Sequence, residues 1–582
     1  MTLRTQTSGP QRIPTGSAAR PVWLGRLPSQ HSGAMGRGLW GLTLTGLVAG
    51  LLAWGLGAGI VALWCFTGAA VTLAVVLPYP WAFVSPLYMG LAGWLVDMLP
   101  FVILAGWGAV VLRWGVTLLR ARRWPRGGRW ALLPLGLLFW TMLGALVISA
   151  ADARHFALLL GMQVLASGVL LAAVDTLADL DDRSKVVRGL VAYVVVLTVA
   201  VIAVWAGLPL EDVQDKKTAA LVERAYGVDA FQNNVGMIKD EKSSKGGGLE
   251  LKRKIDVLAQ RDPRLPAFEV FQPRFRAFPK KLIVRFQGSA RPWQDQLEER
   301  GVELLYDNIG FGAADTVARM RSFPRNANTY AGIGAVLLPF AFFLAWTGHR
   351  RDWFGWCGVA ACLFGIGFSL TRGAWLAAAA GILFVLIAGR LSRPLKFQMG
   401  AAFIIAAVVL SAFYLVKYNV DPYNARAEGG GSVNTRSKLY GETLRSVNGV
   451  NILLGYGTEK PRTKDGVSHA LGRYIPRAGT HSTYLNYLFR AGLPGALMIT
   501  ALYVIAGLHA LAVARRQGDQ EGLFGNAALA GVVAAAAHAV VQNLYVEPIY
   551  TLTISLVLGL AMAGGLAPGV SILPWRRPGV RV

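Results

Sequence analysis

Residues 38–96 read GLWGLTLTGLVAGLLAWGLGAGIVALWCFTGAAVTLAVVLPYPWAFVSPLYMGLAGWLV, with no charged side chain anywhere in the run. Wound as one α-helix the run would extend roughly 90 Å, about three times the hydrocarbon thickness of a bilayer. The Gly55-Leu-Gly-Ala-Gly59 joint and the Pro78-Tyr79-Pro80 break divide it into two or three segments. An apolar run without alternating polar positions excludes a soluble multidomain chain and decides the fold class, an all-α polytopic membrane protein. Further apolar runs at about 98–119, 130–150, 156–176, 187–207, 327–347, 353–370, 374–391 and 397–417, one starting near His481, and two around the turn Gln542–Pro548 bring the expectation to 12–14 spans.

The charges sort themselves around these runs. Of the 582 residues 54% are hydrophobic and 15% charged, and the net charge is +26. The cations sit mainly in short loops between apolar runs, as the positive-inside rule expects. That placement points to membrane lipid and an anionic substrate, and not to nucleic acid. Cys65, Cys357 and Cys362 all lie in apolar runs, so they read as small core residues, not as a metal site or disulfide framework. The seven histidines show no zinc-ligand spacing. No metal and no cofactor is expected.

Seven segments follow in order. Residues 1–37 carry Arg4, Arg12, Arg20, Arg26 and Arg37 with no acid, and read as a disordered basic cytoplasmic tail; an organellar transit peptide has a similar composition. Residues 38–207 hold the first group of spans, with Arg120-Ala-Arg-Arg-Trp-Pro-Arg-Gly-Gly-Arg129 marking the cytoplasmic side and Asp179–Arg188 a charged turn there. Residues 208–326 hold 17 of the 32 acidic residues and form a polar insertion on the outer face. Within it Leu221–Tyr226 and Trp293–Arg300 are helix-like, Leu282–Phe286 is strand-like and Lys242–Gly248 resembles a flexible linker. Central spans occupy 327–417, a second outer loop 418–480, the last spans 481–570 and a cytoplasmic tail 571–582.

With this topology the unusual polar residues fall on one face. Arg372 stands in the tight turn Ser369-Leu-Thr-Arg-Gly373 between two apolar spans. It either snorkels at the interface or uses its planar fork on a phosphate. His481 starts the helix after Arg477-Ala-Gly-Thr480 and is either a cap or loop histidine or a general base; a capping role falls to Thr480. The outer loop carries Asn434-Thr-Arg-Ser-Lys-Leu-Tyr-Gly-Glu-Thr-Leu-Arg445, read as a short amphipathic helix, then the glycine turn Leu453-Leu-Gly-Tyr-Gly457. Arg473 and Arg477 add positive charge just before His481. Glu547, the acid of the last outer turn, has three roles open to it: orienting His481, binding sugar, or capping the last helix.

The His481-Ser482 pair, followed after nine intervening residues by Gly492 and then Leu-Pro-Gly495, resembles the signature of the O-antigen ligase and polymerase superfamily, with O-antigen ligase nearest. Arg372-Gly-Ala-Trp-Leu376, Phe323-Pro-Arg-Asn-Ala-Asn-Thr-Tyr-Ala331 and Arg436 ahead of Leu-Gly-Tyr-Gly457 resemble the same family, in the same order and on the same face. The resemblance covers roughly residues 320–565. It implies a C-type glycosyltransferase-like bundle in the bacterial cytoplasmic membrane, acting on its periplasmic or extracellular face. The donor would be a glycan on undecaprenyl diphosphate and the acceptor a hydroxyl of a glycolipid or glycan, such as lipid A-core oligosaccharide. Transfer would be inverting and metal-independent. On this resemblance His481 is the base, and Arg372 and Arg436 are the diphosphate ligands, with Arg473 and Arg477 beside them. Asn328, Ser482 and Glu547 support the site. The long insertion before Phe323 departs from the family pattern and leaves the acceptor open.

Polysaccharide polymerase and protein O-oligosaccharyltransferase remain alternatives within this chemistry. A secondary transporter is the rival from another class; it calls for charges at mid-span depth and an inverted repeat. A purely structural assembly partner is a third reading.

Overall fold

The structure is a computed structural model that describes residues 34–95, 99–148, 153–205, 235–238, 255–271, 283–286, 293–300, 302–304, 327–347, 353–369, 371–389, 391–418, 440–441, 443–457, 467–468, 473–474, 482–516, 520–542 and 547–565. The expectations for residues 1–33 of the basic tail, for Leu221–Tyr226, for Lys242–Gly248 and for the cytoplasmic tail lie outside these residues, and residues 34–37, expected as disordered tail, are helical.

Among the described residues the apolar runs become fourteen long helices. They are α1 (Ala34–Gly55), α2 (Gly59–Val76), α3 (Tyr79–Leu95), α4 (Leu99–Ala121), α5 (Gly128–Ile148), α6 (Ala153–Thr176) and α7 (Leu180–Trp205), then α8 (Ala327–Thr347), α9 (Trp353–Phe368), α10 (Arg372–Ala388), α11 (Arg393–Tyr418), α12 (Thr483–Ala514), α13 (Gln520–Val541) and α14 (Pro548–Gly565). Eight of them contain a stretch long and apolar enough to cross a bilayer. The protein is therefore an all-α polytopic membrane protein. The first run divides where its sequence says it should, at the glycine joint before Gly59 and at the proline pair before Trp81. One expected turn is in fact helix: Leu180–Arg188 belongs to α7, whose first turn holds Asp181 and Asp182. Acids there complement the positive end of the helix dipole.

The insertion is small and mixed. Strands β1 (Val235–Ile238), β2 (Phe268–Phe271), β3 (Ile283–Phe286) and β4 (Val302–Leu304) pair antiparallel in the order β2-β3-β1-β4. A short helix, Gln294–Glu299, precedes β4, and Ile255, Leu258, Leu265, Val284, Phe286 and Leu297 close a separate apolar core. Asp262 fastens this unit by accepting from Arg264 Nε (2.9 Å) and Nη2 (3.0 Å) and from Trp293 Nε1 (2.9 Å).

Burial separates the centre of the bundle from its lipid-facing side. The apolar windows of α8 and α14 are 94% buried, against 17% for α1. Outward-facing Leu42, Trp64, Leu112, Leu383 and Ile404 leave an apolar surface of the kind a bilayer covers. Cys362 is in the core, but Cys357 is exposed on α9, so the expectation of three core cysteines fails there: at that register α9 turns away from the bundle.

Two ion pairs, each with one fully buried partner, tie together helix ends that the sequence assigns to one face. The Asp175 carboxylate, at the end of α6, receives Arg123 Nη1 and Nη2 (2.8 and 2.7 Å), the Arg126 N–H (2.8 Å) and Trp114 Nε1 (3.0 Å). Arg183, fully buried near the start of α7, pairs with Glu521 at the start of α13 (3.2 Å), and Glu521 also takes Arg516 after α12. The basic turn 120–129 and these four helix ends therefore share a face, and the ends described next lie on the other.

Candidate active site

The site grows from a break in α12. Its φ/ψ angles leave the helical region at Ala491 and at Gly492, where φ is +65°. Two residues after Gly492, Pro494 has no N–H to give the Arg490 carbonyl. Carbonyls freed inside a membrane must find donors. The glycine turn of the second loop supplies them: the N–H of Tyr456 donates to Phe489 O (2.7 Å) and that of Gly457 to Arg490 O (2.9 Å). Trp140 Nε1 from α5 donates to Ala491 O (2.8 Å) and to Leu453 O (3.0 Å). A Cβ on Gly492 would stand 2.5 Å from Leu453 O, so glycine is required by both its φ and its neighbour. Two stretches quoted separately from the sequence, Leu-Gly-Tyr-Gly457 and Gly492-Leu-Pro-Gly495, are thus one clasp.

Ahead of the break, the segment Thr483–Arg490 leans on the end of α13. Ser482 is its N-cap, accepting from the Leu485 N–H (3.5 Å), and its hydroxyl donates to Ala539 O (3.4 Å). The cap is therefore Ser482, one residue past the expected histidine and two past Thr480, because the helix opens at Thr483. Thr483 Oγ1 donates to Gln542 O (3.0 Å), Tyr484 OH to Ala536 O (3.2 Å) and, from the loop, Tyr440 OH to Val540 O (3.3 Å). The hydroxyls of Ser482 and Tyr440 thus reach carbonyls in the last turn of α13, which have no partner within their own helix, while those of Thr483 and Tyr484 bond just beyond it and one turn before it.

The other helix ends meet at the same place. Thr371, the N-cap position of α10, donates through Oγ1 to Asn328 Oδ1 at the start of α8 (3.2 Å). Gly373 lets α10 approach α13 so closely that an added Cβ would lie 2.8 Å from Val541 Cγ2. His538 Nδ1 and Tyr550 OH bond at 2.8 Å and hold α13 to α14. The Glu547 carbonyl accepts the Thr551 N–H (2.9 Å), so the main chain of this residue opens α14.

The N-terminal ends of α8, α10, α12 and α14 therefore converge around the C-terminal end of α13. The first N–H groups of a helix have no carbonyl partner within it and carry a partial positive charge, a setting that attracts anions. Arg372 is the first residue of α10 and half-buried. A cation at that position opposes the helix dipole, and its guanidinium makes no hydrogen bond or ion pair among the described residues. Among the described residues it has no anionic partner.

Of the expected site residues, Arg372, Asn328, Ser482 and Glu547 are described: the first three are joined through α13, and Glu547 opens the helix bonded to it. Arg473 lies in β6 (Arg473–Tyr474), which pairs with β5 (Val467–Ser468), and only its main chain is described. His481, Arg436 and Arg477 lie outside the described residues. One residue escaped the sequence reading altogether: Arg490, buried in α12 four residues after Asn486, whose Oδ1 accepts from Arg490 Nε at 3.0 Å. An arginine eight residues inside an apolar helix, four before a proline, was the available signal.

Comparison with known proteins gives one family. Residues 357–500 match the family model described as O-antigen ligase, about a quarter of the chain. The match takes in Arg372, Arg436, Arg473, Arg477, His481, Ser482 and the α12 break; Asn328 and Glu547 fall outside it. It agrees with the resemblance read from the sequence over that stretch. No curated protein matches the chain.

Proposed function

We propose that this protein is a membrane glycosyltransferase that moves a saccharide from undecaprenyl diphosphate to a hydroxyl acceptor, with ligation to lipid A-core oligosaccharide as first choice. The reaction would run at the face bearing the insertion, the periplasmic or extracellular side of a bacterial cytoplasmic membrane. The observation that carries this reading is Arg372, a guanidinium without a partner among the described residues, at a junction of four helix N-termini and inside the stretch that matches the O-antigen ligases.

In the proposed step His481 takes the proton of the acceptor hydroxyl as the oxygen attacks the anomeric carbon of the donor sugar. The bond from that carbon to the diphosphate oxygen breaks, and inversion follows from attack opposite the leaving group. Negative charge grows on the departing diphosphate, where Arg372 and Arg436 stabilise it, with Arg473 and Arg477 nearby. Fixed cations aimed at a developing charge act there much as a Lewis acid would. Ser482 caps the helix that follows His481, and Asn328 holds Thr371 next to Arg372. These two are positioning residues. The four helix N-termini favour the same anion.

The surface glycan of cells lacking the protein tests this reading. Loss of all attached polymer supports a ligase. Single repeat units left attached would point to a polymerase, loss confined to glycoproteins to a protein oligosaccharyltransferase, and an unchanged glycan would contradict every form of the proposal.

A further inference from the structure

Thr483, Asn486, Tyr487 and Arg490 are all buried and follow the i, i+3, i+4, i+7 spacing of one helix face. Two bonds show which way the face looks. Thr483 Oγ1 reaches Gln542 O of α13 (3.0 Å), and Tyr487 OH reaches Gln163 Oε1 of α6 (2.6 Å). Arg490 stands on this inward face, only 8% exposed. It makes one hydrogen bond, from Nε to Asn486 Oδ1, which sets the plane of the guanidinium. Nη1 and Nη2 bond to nothing among the described residues, and no described carboxylate pairs with them. Unlike Arg183 Nε and Nη1, they are not among the sealed, unpartnered side-chain atoms of the described residues.

An ionisable group inside a span, facing the bundle and lacking an acid, signals an anionic ligand. The free edge of an arginine fork suits two oxygens of one phosphate, a geometry that lysine does not offer. Eight residues of helix separate Ser482 from Arg490, about 12 Å along the axis and towards the bilayer centre. In a polyprenyl diphosphate the phosphate joined to the prenyl chain is the deeper of the two. The sugar-side phosphate lies nearer the membrane surface, where the helix ends and Arg372 are.

We propose that Arg490 binds the lipid-side phosphate of a polyprenyl diphosphate, from the face of α12 that bonds to α6 and to the end of α13. This rests on the donor class proposed above. The break in α12 contributes by holding the short segment that presents Arg490 at a fixed angle, through the bonds from Tyr456 and Gly457.

Binding of farnesyl diphosphate, farnesyl monophosphate and farnesol to the purified full-length chain tests it, in wild type, Arg490→Gln and Arg490→Lys. Wild type should hold the diphosphate at least about ten-fold more tightly than farnesol. Arg490→Gln should weaken diphosphate binding about 10- to 100-fold and leave farnesol binding unchanged, which also checks that the variant is folded. Arg490→Lys should restore part of the loss. If Arg490→Gln fails the farnesol check, Arg490→Lys carries the test, and several-fold weaker diphosphate binding is expected of it. Diphosphate affinity within two-fold of wild type in the folded variant would overturn the assignment while leaving the donor class standing. A wild type that does not distinguish diphosphate from farnesol would overturn the donor class itself, and the Arg490 assignment with it.

Discussion

Tyr456 stacks on Phe489 with ring centroids 4.6 Å apart and planes 15° from parallel, and its N–H donates to the Phe489 carbonyl at 2.7 Å. One residue of a polar loop thereby repairs the hydrogen-bond ladder of a broken membrane helix and covers the repair with its own ring. The Tyr456 hydroxyl, donating to Ser446 O at 2.7 Å, anchors the same loop behind the turn. Tyr456→Phe should therefore cost about 1 kcal/mol, the worth of one hydrogen bond, and Tyr456→Ala more, since the stacked ring goes too. Apparent Tm in detergent for the two variants measures the difference; equal Tm values would mean that the ring contributes nothing.

Gly492→Ala should be far more damaging than a lost methyl elsewhere in α12. The new Cβ would meet a positive φ and Leu453 O at 2.5 Å together. Left-handed strain and overpacking add to about 2–4 kcal/mol. Gly507→Ala is the control, since its Cβ would meet only Val532 Cγ1 at 3.8 Å on the same helix. A Tm for Gly492→Ala no lower than that of Gly507→Ala would contradict the clasp.

On the opposite face, Arg183 is fully buried and its Glu521 partner is 24% exposed. Glu521→Gln strands a buried cation and should destabilise the protein by about 3 kcal/mol, whereas Arg183→Met, apolar and of similar length, should cost much less. Thermal unfolding of both variants checks the order, and the reverse order would show that the pair is not what holds α7 to α13.

In the insertion, hydrogen bonds from Arg264 and then from Trp293 hold the Asp262 carboxyl well below the usual carboxylate range. A depressed folded-state pKa gives stability that is complete above the unfolded value, about pH 4, and is lost as pH falls through the folded value. Asp262→Asn should accordingly raise amide exchange in residues 255–300 at pH 7, while wild type and variant converge as the pH is lowered well below 4. Exchange measured for both at matched pH tests this. A gap that persists undiminished in acid would assign the effect to something other than the charge.

Much of this was legible in the residues themselves. Helix ends at Gly55 and Tyr79 follow from glycine and proline chemistry, and basic loops sorted the two faces because charges inside a bilayer are expensive. Arg372 stood out for the same reason. The clasp was not legible, since pairing Tyr456 with Phe489 depends on a tertiary contact between stretches that sequence shows only as two glycine motifs. Arg490 closes a polar stripe, Thr483-Asn486-Tyr487-Arg490, that sequence shows at helical spacing, but which way that stripe looks is a tertiary fact, and only burial beside Asn486 reveals that it faces inward. The cap moved from Thr480 to Ser482 because two residues suffice to change which hydroxyl meets the first free N–H groups.

Arg372→Gln should fold almost as wild type, because its guanidinium bonds to nothing among the described residues, and removing a cation from a helix N-terminus relieves the dipole. It should nonetheless lose transfer by two or more orders of magnitude, on the scale seen when one preorganised charge-stabilising donor is removed. Unchanged turnover in a folded Arg372→Gln protein would release this residue from the site.

The most direct test is transfer by the purified chain, given a polyprenyl-diphosphate-linked saccharide and a lipid A-core acceptor, for wild type and His481→Ala side by side. Wild type should form the glycoconjugate without a membrane gradient, and His481→Ala, folded and still binding donor, should form none above background. Undiminished product from His481→Ala would contradict the proposed base, and no product from wild type with any hydroxyl acceptor would contradict the transferase itself.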